Sequence, residues 1–421
     1  VADASVEVVV EIGGERLLAG QLWAHRRRGT ESATFRYDPG YLANKSAYGL
    51  DPGLPLLEGS QQTPVGRAMF GAFSDCAPDR WGRRLIDRAE EHRVEEAGSG
   101  AERSFGEADY LLRVRDDLRQ GALRFRVPGS DQWLAPDRDG VPNLLDLPTL
   151  LSASEKMERD EATAAELRTL LRGGSSLGGA RPKAHVRDQG RRIAIAKFPS
   201  PVADEWDVIR WEAVALRLAA SAGINAARAR LHDVDGSSVL IVDRFDRAGQ
   251  RRVGYASAMT MLEAADGDQA SYLDIAETIE EHSPTATKDL RELWRRLVFG
   301  ILIRNTDDHL RNHGFLRADT AGWSLSPAFD VNPDPAPGPV RLATSIDGRT
   351  DEARLDVALE VAELFRLADR DAEAIVRDVA AATASWRTVA IDVSLPDREI
   401  DRMARAFEHD QLAYAQRCNR Q

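Results

Sequence analysis

The chain has 421 residues, long enough for two or three cores, and 43% of them are hydrophobic, enough to fill those cores. Acidic side chains outnumber basic ones by 68 to 56, a net charge of −12, which disfavours unaided binding to a polyanion such as DNA. The only cysteines, Cys76 and Cys418, have no ligand-like spacing, so neither a disulfide framework nor a thiolate metal site is supported and a reducing, cytoplasmic setting is expected.

The longest apolar run, from about Leu297 to Ile303, is far short of the roughly 20 residues a membrane helix needs. The first residues carry no charged-then-apolar signal pattern, so no membrane role is expected. Residues 6 to 12, 20 to 23 and 34 to 37 are β-branched or aromatic runs broken by Gly13-Gly14 and Asp38-Pro39-Gly40. That punctuation predicts a small sheet of hairpins at the start, with the triplet Arg26-Arg27-Arg28 in a solvated turn. Between Ala77 and Arg93, Trp81, Leu85 and Ile86 recur at helical spacing behind Pro78, predicting an amphipathic helix. Loop-rich stretches at Gly98 to Gly100 and Pro128 to Pro142 lead to a domain boundary near residue 150.

Residues 172 to 184 hold Gly173, Gly174, Gly178, Gly179, Ser175 and Ser176. Such a loop lets backbone amides approach a phosphate closely, although its spacing fits neither the Walker pattern nor the dinucleotide fingerprint. Arg192 to Phe198 alternates and predicts a strand presenting Lys197 near its end. With that lysine following, a phosphate cradle and a plain flexible turn stand even. A helix is predicted from Val208 to Ala222, closed by Gly223, with Glu212 either a surface acid or a carboxylate that aims Lys197. Ser237 to Asp243 is too apolar for an edge strand and runs into a polar connector, Arg244 to Arg247, that could join two lobes.

Leu290, Leu293, Trp294, Leu297, Val298, Ile301 and Leu302 mark a broad apolar helix face. This helix delivers Asn305 to Phe315, which packs two acids, two histidines and two asparagines into eleven residues. Trp323 to Asn332 makes a short strand or turn containing Asp330, and residues 351 to 417 read as helical packing.

Asp307, Asp308 and Asp330 with Asn312 form an oxygen-rich set suited to a hard cation such as Mg²⁺. A base five residues before a metal-binding amide is the arrangement phosphoryl transfer needs. A competing reading makes His309 and His313, four apart, zinc ligands of a hydrolase. Asn312 and Gly314 disfavour a regular helix there, and no glutamate lies between the histidines. His313 is therefore expected to make a structural hydrogen bond, and His309 to orient the catalytic acid.

The ordered set of segments 173 to 183, 195 to 198, 243 to 247, 307 to 315 and 326 to 333 resembles the HipA-type serine/threonine kinases of bacterial toxin-antitoxin systems, over about residues 1 to 350. Phe35 to Leu42 and Leu54 to Leu56 are similar to the small domain before the kinase core of that family. The Asp-x-His-x-x-Asn arrangement is shared more broadly with phosphatidylinositol-kinase-like folds. The resemblance implies an α+β, two-lobed protein-kinase-like (phosphatidylinositol-kinase-like) fold. It would comprise a small N-terminal β-rich subdomain (1–150), an N-lobe with the Gly-rich loop and hinge (151–247) and an all-helical C-lobe (248–421).

By the same resemblance, ATP and Mg²⁺ are the cofactors and Asp307 is the catalytic base. Asn312 and Asp330 are the magnesium ligands, and Lys197 sits on the ATP phosphates. Asp243, Arg244 and Phe245 match the adenine-holding hinge, His309 lies in the nucleotide-contacting segment, and Phe329 precedes the metal acid. Ser176, Gly178, Gly179, Ala180, Arg181 and Lys183 match the phosphate loop, with Ser176 or Ser175 autophosphorylated. The implied target is a protein of translation such as an aminoacyl-tRNA synthetase. The implied partner is a small, HipB-like DNA-binding antitoxin, through which alone DNA would be reached. Two other classes stay open: a non-catalytic co-repressor subunit with the kinase shape, and a small-molecule or lipid kinase.

Overall fold

The computed structural model describes residues 4–98, 104–135, 140–174, 179–188 and 192–417. The chain divides into two compact units: Val1–Ala203 with Asp233–Ala256 and Arg317–Thr320, and Asp204–His232 with Ser257–Leu316 and Ala321–Gln421.

The first unit opens with strands β1 (Ala4–Ile12), β2 (Glu15–Arg27), β3 (Thr30–Tyr37), β4 (Ser60–Gln62) and β5 (Leu123–Arg126). They form one antiparallel sheet in the order β4-β3-β2-β1-β5. Gly13 and Gly14, at φ 61° and 94°, turn the first hairpin, a backbone region that costs glycine little. Val6, Val8, Leu22, Phe35 and Tyr37 are buried at alternate positions, but beyond the register shift at Val8/Val9 strand β1 is covered on both faces, Val9, Val10 and Glu11 all being buried. At Gly20 the neighbouring strand comes so close that a Cβ would lie 2.2 Å from Arg36 O. The arginine triplet departs from expectation. Arg26 and Arg27 pair with Glu31 and Thr30 inside the β2–β3 ladder, and only Arg28, at φ 52°, is in the turn. The ladder runs to Arg27 because the turn needs only two residues, Arg28 and Gly29, both at positive φ (52° and 83°); Arg26 also donates to Ser104 O at 2.7 Å.

Short helices α1 (Pro39–Leu42) and α2 (Gly71–Ser74) precede the long α3 (Arg80–Ala97). Asp79 caps α3 by accepting from Gly82 N, so the helix starts just behind Pro78, as expected. Trp81, Leu85 and Ile86 are its buried residues, as predicted. After α4 (Glu107–Arg113) come α5 (Leu147–Glu158) and α6 (Ala164–Arg172), the latter started by a Thr163/Glu166 capping box. Strands β6 (Lys183–Arg187), β7 (Ile193–Lys197), β8 (Ala229–Val234), which returns the chain to this unit, and β9 (Ser237–Asp243) follow. β6, β7 and β9 are antiparallel neighbours, with Lys183 opposite Lys197 and Lys197 opposite Leu240. Trp81, Leu150, Met157, Leu167 and Leu170 from the helices form one core with Val186, Ala196, Val239 and Ile241 of the strands and with Phe198 just past β7. Burying each large side chain contributes about 1.5–3 kcal/mol. The two-residue strands β10 (Arg247–Ala248) and β11 (Arg251–Arg252) pair with each other, and β12 (Gly254–Ser257) leads out of the unit.

The second unit is helical apart from a short hairpin. Helix α7 (Val208–Ser221) is capped by Asp207 and followed by Gly223 at φ 79°. Then come α8 (Ala258–Met261), α9 (Tyr272–His282) and the central α10 (Ala286–Ile303). Strands β13 (Gly314–Arg317) and β14 (Ser324–Leu325) pair Phe315 with Leu325. The chain closes with α11 (Leu355–Glu360), α12 (Asp369–Ala384), α13 (Trp386–Asp392), α14 (Asp397–Phe407) and α15 (Asp410–Arg417). Twelve of the eighteen residues of α10 are buried, so it is the axis around which the others pack. Trp386 stacks on Phe407 at 4.7 Å, with Trp211 of α7 tilted against both.

Candidate active site

Helix α10 ends at Arg304, whose φ of 54° turns the chain into the left-handed region. Asn305 N donates back to Gly300 O at 2.9 Å, which launches the polar loop from a rigid base. The adjacent acids then part company. The Asp307 side chain is 83% exposed, whereas that of Asp308 is 9% exposed. Asp308 accepts from the Tyr272 hydroxyl and stands 2.9 Å from His313 Nε2. Burial alone would raise its carboxyl, but the charge and hydrogen bonding of His313, with the Tyr272 hydroxyl and His309, hold it below the usual carboxylate range. Asp308 is thus a structural anion, an assignment its position beside Asp307 does not reveal.

Asn312 lies in a short 3₁₀ turn, Leu310–Asn312. Its Nδ2 donates to Asp307 O at 2.8 Å, leaving the amide oxygen as the donor atom a cation would take. His309 Nε2 is 4.0 Å from Asp307 Oδ1, and its Nδ1 is buried without a hydrogen-bond partner.

The third acid arrives from the segment after β14. Ala328 is held by two backbone bonds, to Asn225 O at 2.7 Å and from Ala227 N at 2.8 Å. Asp330 follows at φ 55°, a conformation that a non-glycine residue adopts at a cost and that recurs at functional sites. Asn332 joins the two segments: its amide N lies 3.3 Å from Asn305 Oδ1, and its Nδ2 lies 3.4 Å from Asp330 Oδ1. Asp308, Asn312, Phe329 and Asp330 line one cleft with Tyr272 and Arg296. One carboxylate and one amide oxygen fit Mg²⁺, which keeps several waters and substrate phosphates among its ligands. No cluster of three or more histidine, cysteine or acidic side chains suited to a metal occurs among the described residues, and His313, one of the two histidines of the zinc reading, is turned to Asp308.

In the first unit, Lys197 is the last residue of β7. Lys183 opposite it is buried, with its ammonium 2.6 Å from Asp79 Oδ2. Gly179, Ala180 and Arg181 lead into β6, Gly179 at φ 115°; Ser175, Ser176 and Gly178 lie outside the described residues. The loop root is built closely. His185 N and Nδ1 both reach Gly173 O, at 2.7 and 2.8 Å.

Asp243 ends β9, opposite Ala194. Arg244, expected to face nucleotide, has a buried guanidinium committed to Asp246 (2.8 and 2.6 Å), Leu118 O (2.7 Å), Arg119 O (3.1 Å) and His185 Nε2 (3.0 Å). Only its backbone is left for a ligand. Asp246 also accepts from Gly121 N at 2.8 Å. Burial raises its carboxyl, but Arg244 and Arg247 overwhelm that and drive it far below the usual range. The Phe245 ring lies 6.4 Å from that of Tyr255.

Asp307, His309, Asn312, Phe329 and Asp330 therefore belong to the second unit, and Gly179 to Lys183, Lys197 and Asp243 to Phe245 to the first. Glu212 is buried in the second and Lys197 is in the first. Sequence reasoning passes over Tyr272, His185 and Asp79. Each sits in an ordinary helix start or strand, and no local pattern marks its partner.

The fold is of a class already seen in solved structures. A chain of the Shewanella oneidensis MR-1 structure of the toxin-antitoxin system HipA, HipB and its operator DNA matches 99% of this chain and 97% of its own, with a TM-score of 0.63 at 18% identity. The family model described as HipA-like C-terminal domain matches residues 175–386, half of the sequence. The chain belongs to that HipA family. Two curated relatives carry kinase names. A Haemophilus influenzae protein is 32% identical over 108 residues (23% of this chain, 32% of that protein), and a Sinorhizobium fredii protein is 34% identical over 95 residues (22% and 23%). The chain thus spans a third or less of the length of these relatives. No helix among the described residues is long and apolar enough to cross a membrane.

Proposed function

We propose that the chain is an ATP- and Mg²⁺-dependent protein serine/threonine kinase acting as the toxin of a toxin-antitoxin pair. The observation that carries this reading is the cleft in which Asn312 and Asp330 present oxygen donors, while Asp307 stands solvent-facing on the loop that Asn312 braces.

Asp307 accepts the proton of the incoming serine or threonine hydroxyl as its oxygen bonds to the γ-phosphorus and the bond to the β,γ-bridging oxygen breaks, releasing ADP. Magnesium, held by Asn312 and Asp330, would offset charge on the phosphates. His309, within 4.0 Å of Asp307, orients that carboxylate. Lys197, with Gly179, Ala180 and Arg181, supplies phosphate contacts, and the backbone of Asp243 to Phe245 supplies the adenine contact. Lys183 is left out of the phosphate set because Asp79 holds its ammonium. Ser176 or Ser175 is the autophosphorylation site.

The partner is a small, HipB-like antitoxin that brings this acidic chain to DNA, in keeping with the assembly named for the Shewanella structure. The substrate is a protein of translation such as an aminoacyl-tRNA synthetase. Incubation with labelled ATP and Mg²⁺ tests the reading: the parent labels itself and a lysate protein, and Asp307→Ala labels neither. Undiminished labelling by Asp307→Ala would sink the mechanism.

A further inference from the structure

Tyr272 opens α9, 36 residues before Asp308, yet its hydroxyl donates to Asp308 Oδ2. Its ring meets that of His313 edge-on, with centroids 5.3 Å apart, while His313 Nε2 approaches the other oxygen, Asp308 Oδ1. The backbone at the same residue is held from a third direction, by Thr344 Oγ1 donating to Asp308 O at 2.6 Å. Tyr272 N donates to Ser345 O at 2.8 Å, so the 344–345 segment and the start of α9 grip Asp308 together. Burial pushes the Tyr272 hydroxyl well above its ordinary value, and the Asp308 charge adds to that; the proton stays on the tyrosine, which therefore remains the donor.

Asp308 is held through both carboxylate oxygens and its backbone oxygen, and both flanking functional groups are linked to it. Asp307 is joined to it by one peptide bond, and Asn312 hangs from Asp307 O by its side-chain amide. A tilt of the 307–308 backbone would move both. On the kinase reading above, we infer that Tyr272 is a positioning residue for phosphoryl transfer: through Asp308, and together with Thr344, it sets how Asp307 and Asn312 face the cleft.

Tyr272→Phe keeps the ring against His313 and removes only the hydroxyl; Thr344→Val removes the second grip from another element. In each variant kcat should fall by about a hundredfold, the scale of an ångström-sized misplacement, with KM for ATP rising far less than kcat falls. Hydrogen exchange should quicken in residues 305–313 and nowhere else. Asp307→Asn should abolish transfer and leave exchange as in the parent. Parental kcat in both grip variants overturns the inference, as does a rise in KM matching the fall in kcat. A parent that transfers no phosphate overturns the kinase reading instead. Exchange then judges the clamp by itself: loop-restricted quickening upholds it, and parental exchange in both variants overturns it.

Discussion

Lys183 Nζ lies 2.6 Å from Asp79 Oδ2, with the two side chains only 6% and 5% exposed. Asp79 also caps α3 through Gly82 N at 2.6 Å, so one carboxylate joins the start of a helix to the first strand after the Gly-rich loop. Breaking a buried pair leaves an uncompensated charge and costs about 3–5 kcal/mol. Lys183→Ala should destabilise by that amount in denaturant unfolding. The double change Asp79→Asn with Lys183→Met should recover most of it, because no lone charge is left buried.

His185 gives the first unit a pH response. Burial, and then the Arg244 guanidinium beside it, lower its pKa well below the ordinary imidazole value. The neutral ring donates from Nδ1 to Gly173 O and accepts at Nε2 from Arg244. A depressed folded-state pKa means the unfolded chain takes up the proton first. This contribution is complete above about pH 6.5, the unperturbed value, and is lost as pH falls below it. Thermal unfolding should show stability declining from that point downward, and His185→Gln should flatten the decline. Asp246 and Asp308, both held below the carboxylate range, would add losses only at lower pH.

Gly20 is fixed by the approach of the neighbouring strand. A Cβ there would sit 2.2 Å from Arg36 O and 2.8 Å from the Phe35 ring, and a backbone oxygen in a ladder cannot yield. Gly20→Ala should destabilise by ~3 kcal/mol or more, the upper end of the overpacking range. A melt within a degree of the parent would contradict the strand spacing.

Gly300 is the opposite case. It lies inside α10, and a Cβ would meet nothing within 4 Å. Gly300→Ala should therefore gain close to the full helix-propensity difference, about 1 kcal/mol, read as a rise in Tm.

Asp330 holds a left-handed backbone at φ 55°, which asparagine tolerates better than most residues. Asp330→Asn should leave the melting temperature near the parent's and remove only the charge. Calorimetric titration should then show ATP affinity in Mg²⁺ reduced by about tenfold, roughly 1.4 kcal/mol. Parental affinity would remove Asp330 from the metal set.

Much of the scaffold was legible because its signals are local. Ser237 to Asp243 forms a strand at the bounds its apolar run predicts, α7 runs where its spacing and Gly223 place it, and α10 carries the predicted apolar face. Periods of 2 and 3.6, with caps one turn away, are written within a dozen residues. The arginine triplet is misplaced because its charge suggests a turn, whereas the turn itself is set by Arg28 and Gly29 alone.

Local patterns in the chain establish the opening hairpins, α3, α7, β9, the apolar face of α10 and the crowding of acids and amides into Asn305 to Phe315. Folding adds what those patterns do not hold: Asp307 faces solvent while Asp308 beside it is captive, Lys183 belongs to Asp79, and Arg244 is spent on Asp246. Those choices rest on partners from 2 to 125 residues away, Asp246 serving both Arg244 and Gly121. A charge in a dry interior takes whichever partner the packing brings near, and no periodicity in the chain records which one that is.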